Sequence, residues 1–169
     1  MKKITIPNNS WAYEDFITDE EQKDLLKFCK SLFIHAKENG PGRFFCDQIV
    51  SKLNPPEVYF NVRNRIIQTE EFKNYKDDTV FGDFVGFNYE SGAIHEHTDK
   101  NLDGFVHTRY NLLISFPEIG GQPIYGGKII DVKEKMLWRC QAGLIEHAST
   151  PVKGPKPRIN ISFGFQIKE

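Results

Sequence analysis

The sequence predicts a mainly β chain with N-terminal helices and a double-stranded β-helix (jelly-roll) core. Three observations carry that prediction. A helical hydrophobic period runs through residues 19–37, the period switches to two from about residue 80, and a series of short strand candidates with turn-rich breaks follows to the end.

Thr18-Asp19-Glu20-Glu21 has the form of a capping box, with a threonine N-cap and an acid three residues on. Behind it Leu25, Leu26, Phe28, Cys29, Leu32 and Phe33 recur at helical spacing, so a helix is predicted over about 19–37, stopping at Asn39-Gly40-Pro41-Gly42. A second helix is predicted to open at Asn54-Pro55-Pro56, where proline suits a first turn, and to run through Val58, Val62, Ile66 and Ile67. From residue 80, Phe81, Asp83, Val85, Phe87 and Tyr89 alternate with Val80, Gly82, Phe84, Gly86 and Asn88, which reads as a strand. Further strands are predicted over 93–99, 109–116, 128–132, 136–140, 143–147 and 158–167. Several of their breaks are rich in turn residues: Gly120-Gly121, Gly126-Gly127, Lys133-Glu134-Lys135 and Gly154-Pro155-Lys156-Pro157.

A length of 169 residues fits one domain, with about 1–79 as a helical support region and about 80–167 as the jelly-roll core. Hydrophobic content of 39% with 13% aromatics argues for a packed globule. The formal charge of −1 gives no reason to expect nucleic acid or an anionic membrane as partner. No apolar run approaches the roughly 20 residues that span a bilayer. Met1 to Pro7 is too short and too polar for a secretory signal. Cys29, Cys46 and Cys140 are scattered without CxxC spacing, so reduced thiols packed as small hydrophobes and a cytoplasmic location are expected.

The chemistry-bearing residues are His97, Asp99, His147 and Arg158. On a strand, residues 95, 97 and 99 share one face, so His97 and Asp99 can bind one ion at a barrel mouth. Two histidines and one carboxylate on one face of a metal hold Fe(II) while leaving positions open for oxygen and an organic cosubstrate. An arginine on a neighbouring strand is a natural clamp for a dicarboxylate, because its planar fork binds a carboxylate through two parallel hydrogen bonds. A lone HxD arises by chance in many proteins; its weight comes from its combination with His147 and Arg158. His95 and His97 would alternatively form an HxH pair of the cupin sort, which normally adds a glutamate a few residues later. The next acid after His97 is Asp99, so His97 and Asp99 are the favoured ligands and His95 is placed as lining the pocket. His107 has no comparable setting, and His35 is expected at the helix surface.

The stretch from Tyr89 through Gly92 and His95 to His97-Thr98-Asp99 resembles the metal-binding strand of the 2-oxoglutarate- and Fe(II)-dependent dioxygenases, most of all prolyl hydroxylases. The resemblance continues through Arg109-Tyr110-Asn111-Leu112-Leu113-Ile114-Ser115-Phe116, Gly120-Gly121, the run from His147 to Gly154, and Pro157-Arg158-Ile159-Asn160-Ile161-Ser162-Phe163. It covers about residues 80–167. It implies His97, Asp99 and His147 as ligands of Fe(II), and Arg158 as partner of the distal carboxylate of 2-oxoglutarate. It also implies a cosubstrate contact for Tyr89, which a core aromatic reading fits equally well. Asn160 and Ser162 share the face of Arg158 and can assist it, while His95 and Arg109 are placed in the substrate pocket. The activity implied is hydroxylation of a C–H bond by molecular oxygen, with 2-oxoglutarate decarboxylated to succinate. A peptide, protein or small molecule is the expected substrate; Phe44, Phe45, Tyr75 and Phe105 either line its approach or pack down as core lids, the commoner role of aromatics in such loops.

The main rival is a nucleic-acid demethylase of the AlkB type, since Arg158-Ile159-Asn160-Ile161-Ser162 partly resembles that group's closing motif. Gly164 stands where its second arginine would be expected, and no basic patch for phosphates is evident. A cupin-like barrel that binds a metal or small ligand without turnover is the third reading.

Overall fold

Residues 1–49, 53–70 and 72–168 are described by the computed structural model. Two long strands, β7 (Val106–Ser115) and β12 (Arg158–Ile167), pair antiparallel at the centre of the larger sheet. Among the described residues its strand order is β1-β2-β10-β7-β12-β6-β4-β3. These are β1 (Lys2–Ile6), β2 (Ser10–Glu14), β3 (Lys37–Glu38), β4 (Arg43–Cys46), β6 (Phe84–Asn88) and β10 (Leu137–Cys140), and β5 (Tyr75–Asp77) pairs the far end of β12. A smaller sheet runs β11-β8-β9, from β8 (Pro123–Tyr125), β9 (Lys128–Ile129) and β11 (His147–Ser149). Mostly β, with two helices among the described residues packed on one side, this is the jelly-roll core that the alternation predicts.

Alternation gives the larger sheet two unlike faces. Outward residues Val85, Phe87, Tyr110, Leu112, Ile114, Ile159, Ile161, Phe163 and Phe165 are buried in one cluster with helix residues Leu25, Cys29, Leu32, Tyr59, Val62 and Ile66. The helices are α1 (Asp19–Leu32) and α2 (Glu57–Thr69). Burying an aliphatic or aromatic side chain of this size contributes about 1.5–3 kcal/mol, so this face carries much of the stability. Inward residues face the smaller sheet. One end of that space is closed by Ile6, Leu113, Tyr125, Ile130, Met136 and Trp138; the other end is a cavity.

The capping box at Thr18 forms as predicted: Thr18 Oγ1 accepts from Glu21 N at 3.1 Å, and Glu21 accepts from Thr18 N at 2.9 Å. The helix ends earlier than predicted. A 3-10 turn over Phe33–His35 follows α1, and the glycines at 40 and 42 instead turn a hairpin between β3 and β4, both with positive φ. The N-terminal region also supplies β1 to β5 to the larger sheet, so it is more than a helical support. Residues 93–99 form no regular strand; they lie along β11 with His97 and His147 paired as an isolated bridge. His147 opens β11 where the prediction made it the end of a strand over 143–147. The last strand, 158–167, has the predicted bounds. All three cysteines are buried free thiols, and no described helix is long and apolar enough to cross a membrane.

Candidate metal centre

His97 and His147 meet because their backbones exchange two hydrogen bonds, His97 N to His147 O at 3.2 Å and His147 N to His97 O at 2.9 Å. Residues so paired project their side chains to the same face, and the two imidazole rings lie 4.2 Å apart between centroids. Each ring places Nδ1 against the carbonyl oxygen two residues before it: His97 with His95 O at 2.7 Å, His147 with Ile145 O at 3.2 Å. An Nδ1–H donated to a carbonyl fixes the tautomer whose Nε2 lone pair is free for a metal. Asp99 is anchored by its N–H to Ala142 O at 2.7 Å, and its Oδ1 lies 3.5 Å from His97 Nε2. Donor atoms of His97, Asp99 and His147 all lie within 4.8 Å of one another. Two ligands about 2.1 Å from an ion and at right angles are about 3 Å apart, so small side-chain rotations suffice to close these three on one ion. Burial and the neighbouring His97 hold His147 below the usual imidazole range, which favours the neutral form that a metal needs.

The other oxygen of Asp99 faces inward to Arg109 and to His107, for which the sequence offered no setting. Asp99 Oδ2 is 3.3 Å from His107 Nδ1 and 3.9 Å from Arg109 Nε. His107 Nε2 in turn lies 3.6 Å from Asp78 Oδ2, and Arg109 Nη2 pairs with that same oxygen at 2.6 Å. Arg109 also donates from Nη1 to Gly82 O at 2.7 Å. Arg109 lines the cavity where the sequence reading placed it, with two of its guanidinium nitrogens held by Asp78 and Gly82. His107 is buried, and desolvation with the Arg109 charge pushes its pKa down to about 4. Its signal in the sequence was parity: 107, 109 and 111 share the inward face of β7.

The His97–Asp99–His147 cluster opens on a cavity of about 440 Å³ whose lining includes His95, His97, Asp99 and His147 together with Arg158, Asn160 and Ser162. Arg158 is only 2% exposed and opens β12 beside a register irregularity at Ile159/Asn160, a kind of feature that re-aims side chains next to functional sites. Its Nε and Nη1 are buried without an acceptor, as are Ser162 Oγ and Asn88 Nδ2. A buried guanidinium without a partner is costly unless an anion completes it. Burial, aided by the charge of Arg43, pushes the Arg158 pKa down to about 10.

Tyr89 is not brought to this cavity. It packs edge-on against Phe33 and Phe44 at 5.5 and 6.0 Å, on the helix side, because even-numbered residues of β6 point inward and odd ones outward. Asn88, registered directly opposite Arg158, takes the inward place. Phe44 and Phe45 line the cavity as predicted, joined by Phe81 and Phe84. Tyr75 instead packs on Phe72 and Phe165, and Phe105 lies under Lys76. His35 is exposed, as expected.

No family model and no curated protein sequence matches the chain. Solved structures do. The nickel- and 2-oxoglutarate-bound HygX from Streptomyces hygroscopicus matches with a TM-score of 0.72 at 7% identity, over 94% of this chain and 82% of that one. A Pseudomonas putida prolyl-4-hydroxylase matches at 0.63 and 14% identity, over 94% and 91%. OsALKBH1 matches at 0.66 and 13% identity, over 99% and 100%. The fold is therefore that of the 2-oxoglutarate oxygenases.

Proposed function

We propose that this chain is an Fe(II)- and 2-oxoglutarate-dependent dioxygenase that hydroxylates a C–H bond, most like a prolyl hydroxylase acting on a peptide or protein. The observation that carries the reading is that His97, Asp99 and His147, with donor atoms within 4.8 Å of one another, line one cavity together with a buried Arg158 whose Nε and Nη1 have no acceptor. The Nε2 atoms of both histidines and Oδ1 of Asp99 would hold Fe(II), leaving coordination positions open. Arg158 would take the distal carboxylate of 2-oxoglutarate, with Asn160 and Ser162 beside it on the inward face. When bound, the metal and cosubstrate supply the oxidation: O2 and 2-oxoglutarate become succinate and CO2, and one oxygen atom enters the substrate C–H bond. The protein's own part is to fix geometry, exclude water at the Arg158 end, and keep the His97 side open. His95, exposed at the mouth, and Phe44, Phe45, Phe81 and Phe84 are the residues an arriving chain would meet.

An AlkB-like nucleic-acid demethylase is the second reading, favoured by Asn160 and Ser162 both lining the cavity after Arg158. Two observations set it behind. The charge is balanced, and at Gly164 a Cβ would stand 2.6 Å from Arg109 Nη1 and 2.9 Å from Asp78 Cβ. Arg109 crosses the place where that group's second arginine would stand, and its charge is already matched by Asp78. Three buried free thiols fit a reducing, cytoplasmic location. The test is to offer proline-containing peptides and methylated oligonucleotides to the Fe(II)-loaded protein with 2-oxoglutarate. A gain of one oxygen on a peptide supports the first reading; loss of a methyl group from the oligonucleotide with no peptide product supports the second.

A further inference from the structure

The Arg158 end of the cavity carries more positive charge than one arginine clamp requires. Arg43 of β4 and Arg158 of β12 are both in register with Asn88 of β6, so the three form one row across three adjacent strands. Residues in direct register share a face, and all three line the cavity. With strands about 4.8 Å apart, the two arginine Cα atoms are about 10 Å from each other, a span over which two guanidinium side chains converge on one small anion. Among the described residues no carboxylate pairs with either guanidinium, and Asn88 Nδ2 between them is buried without an acceptor. Arg43 is held from behind. Its strand leaves the hairpin at Gly42, where a Cβ would meet Glu90 O at 2.5 Å and Gly92 N at 2.9 Å, and Tyr89 N donates to Gly42 O at 2.8 Å. The backbone that aims Arg43 is therefore seated tightly against the end of β6.

On the premise that the cavity takes 2-oxoglutarate, we propose that Arg43 and Asn88 join Arg158 in a three-residue cradle for the distal carboxylate, making Arg43 a specificity-determining residue. A carboxylate has about four lone-pair sites. The fork of Arg158 fills two, and Arg43 and Asn88 fill the remainder. The consequence is selectivity: a 2-oxo acid without the distal carboxylate forfeits both guanidiniums at once.

The test measures binding by calorimetry to protein loaded with Ni(II), which holds the keto acid without turnover. 2-Oxoglutarate is compared with 2-oxopentanoate, which lacks only the distal carboxylate. Arg43→Ala is expected to weaken 2-oxoglutarate by about 10- to 100-fold, the size of a lost charged hydrogen bond, and to leave 2-oxopentanoate unchanged; Arg43→Lys is expected to recover part of the loss and so exclude misfolding. If Arg43→Ala weakens neither keto acid, or both alike, while Arg158→Met still weakens 2-oxoglutarate selectively, the cradle is overturned and the cosubstrate reading stands. Arg43 then faces something else, such as an acidic group of the prime substrate. If the wild-type protein fails to prefer 2-oxoglutarate over 2-oxopentanoate, the cosubstrate reading fails and the cradle with it.

Discussion

The two faces of β12 divide the labour of the molecule residue by residue. Ile159, Ile161, Phe163 and Phe165 point outward into the helix-covered core, while Arg158, Asn160 and Ser162 point into the cavity. Both sets are buried, yet one is satisfied by packing and the other holds polar atoms that wait for a partner. Depth alone therefore does not mark a core residue here. The difference is that the outward face gains from folding, whereas the inward face carries a desolvation cost that a bound anion would offset.

The largest effect on that contrast should come from the outward side. Phe163 packs against Tyr59 with ring centroids 5.3 Å apart and is fully buried. Phe163→Ala is expected to cost about 3–5 kcal/mol in denaturant unfolding. Its inward neighbour Ser162 leaves no satisfied hydrogen bond behind when truncated, so Ser162→Ala should scarcely move the midpoint. Equal losses at the two positions would erase the division.

Arg158 tests the same contrast in the opposite direction. Arg158→Met removes a buried cation that has no carboxylate, so the ligand-free protein is expected to gain stability, on the order of 1–3 kcal/mol, while losing 2-oxoglutarate binding. A variant that is both less stable and still able to bind would show that Arg158 is structural.

A smaller effect is expected behind the metal site. His107 Nδ1 lies 3.3 Å from Asp99 Oδ2 without hydrogen-bond alignment, and an outer-shell residue that closes such a bond onto a metal ligand is worth about 10- to 100-fold in metal affinity. His107→Gln should show a loss in that range by metal titration. The same residue gives a pH signature. Its folded pKa of about 4 lies below the ordinary 6.5, so as pH falls the unfolded chain takes up the proton first. Stability of the metal-free protein should be complete above 6.5 and decline as pH falls from 6.5 towards 4. His107→Gln should flatten that decline, and an unchanged slope would remove His107 as its source.

The sequence made the ends of this division plain and hid its middle. On β12 the apolar and polar residues alternate cleanly, so both its bounds and the inward face of Arg158, Asn160 and Ser162 could be read. Along β6 and the residue after it, Phe84, Phe87 and Tyr89 put aromatics on both faces, so parity alone gave no means of seeing that Tyr89 points away and Asn88 points in. The strands β1, β3, β4 and β5 are two to five residues long, too short for a period to emerge, and β3 begins at Lys37, where the predicted helix ends. His97 and His147 were paired by motif; that their backbones form the bridge which brings them together is a long-range fact no local pattern encodes. His107 stood alone in the sequence because its partners, Asp78 and Asp99, come from separate loops.

The most direct test of the central claim follows succinate formation from 2-oxoglutarate by NMR in aerated solution, with and without added Fe(II), for the wild-type protein and Asp99→Ala. The expected result is Fe(II)-dependent succinate from the wild type, slow in the absence of prime substrate, and none from Asp99→Ala despite an unchanged melting profile. Iron-loaded wild-type protein that leaves 2-oxoglutarate intact, or an Asp99→Ala variant that matches it, would contradict the claim.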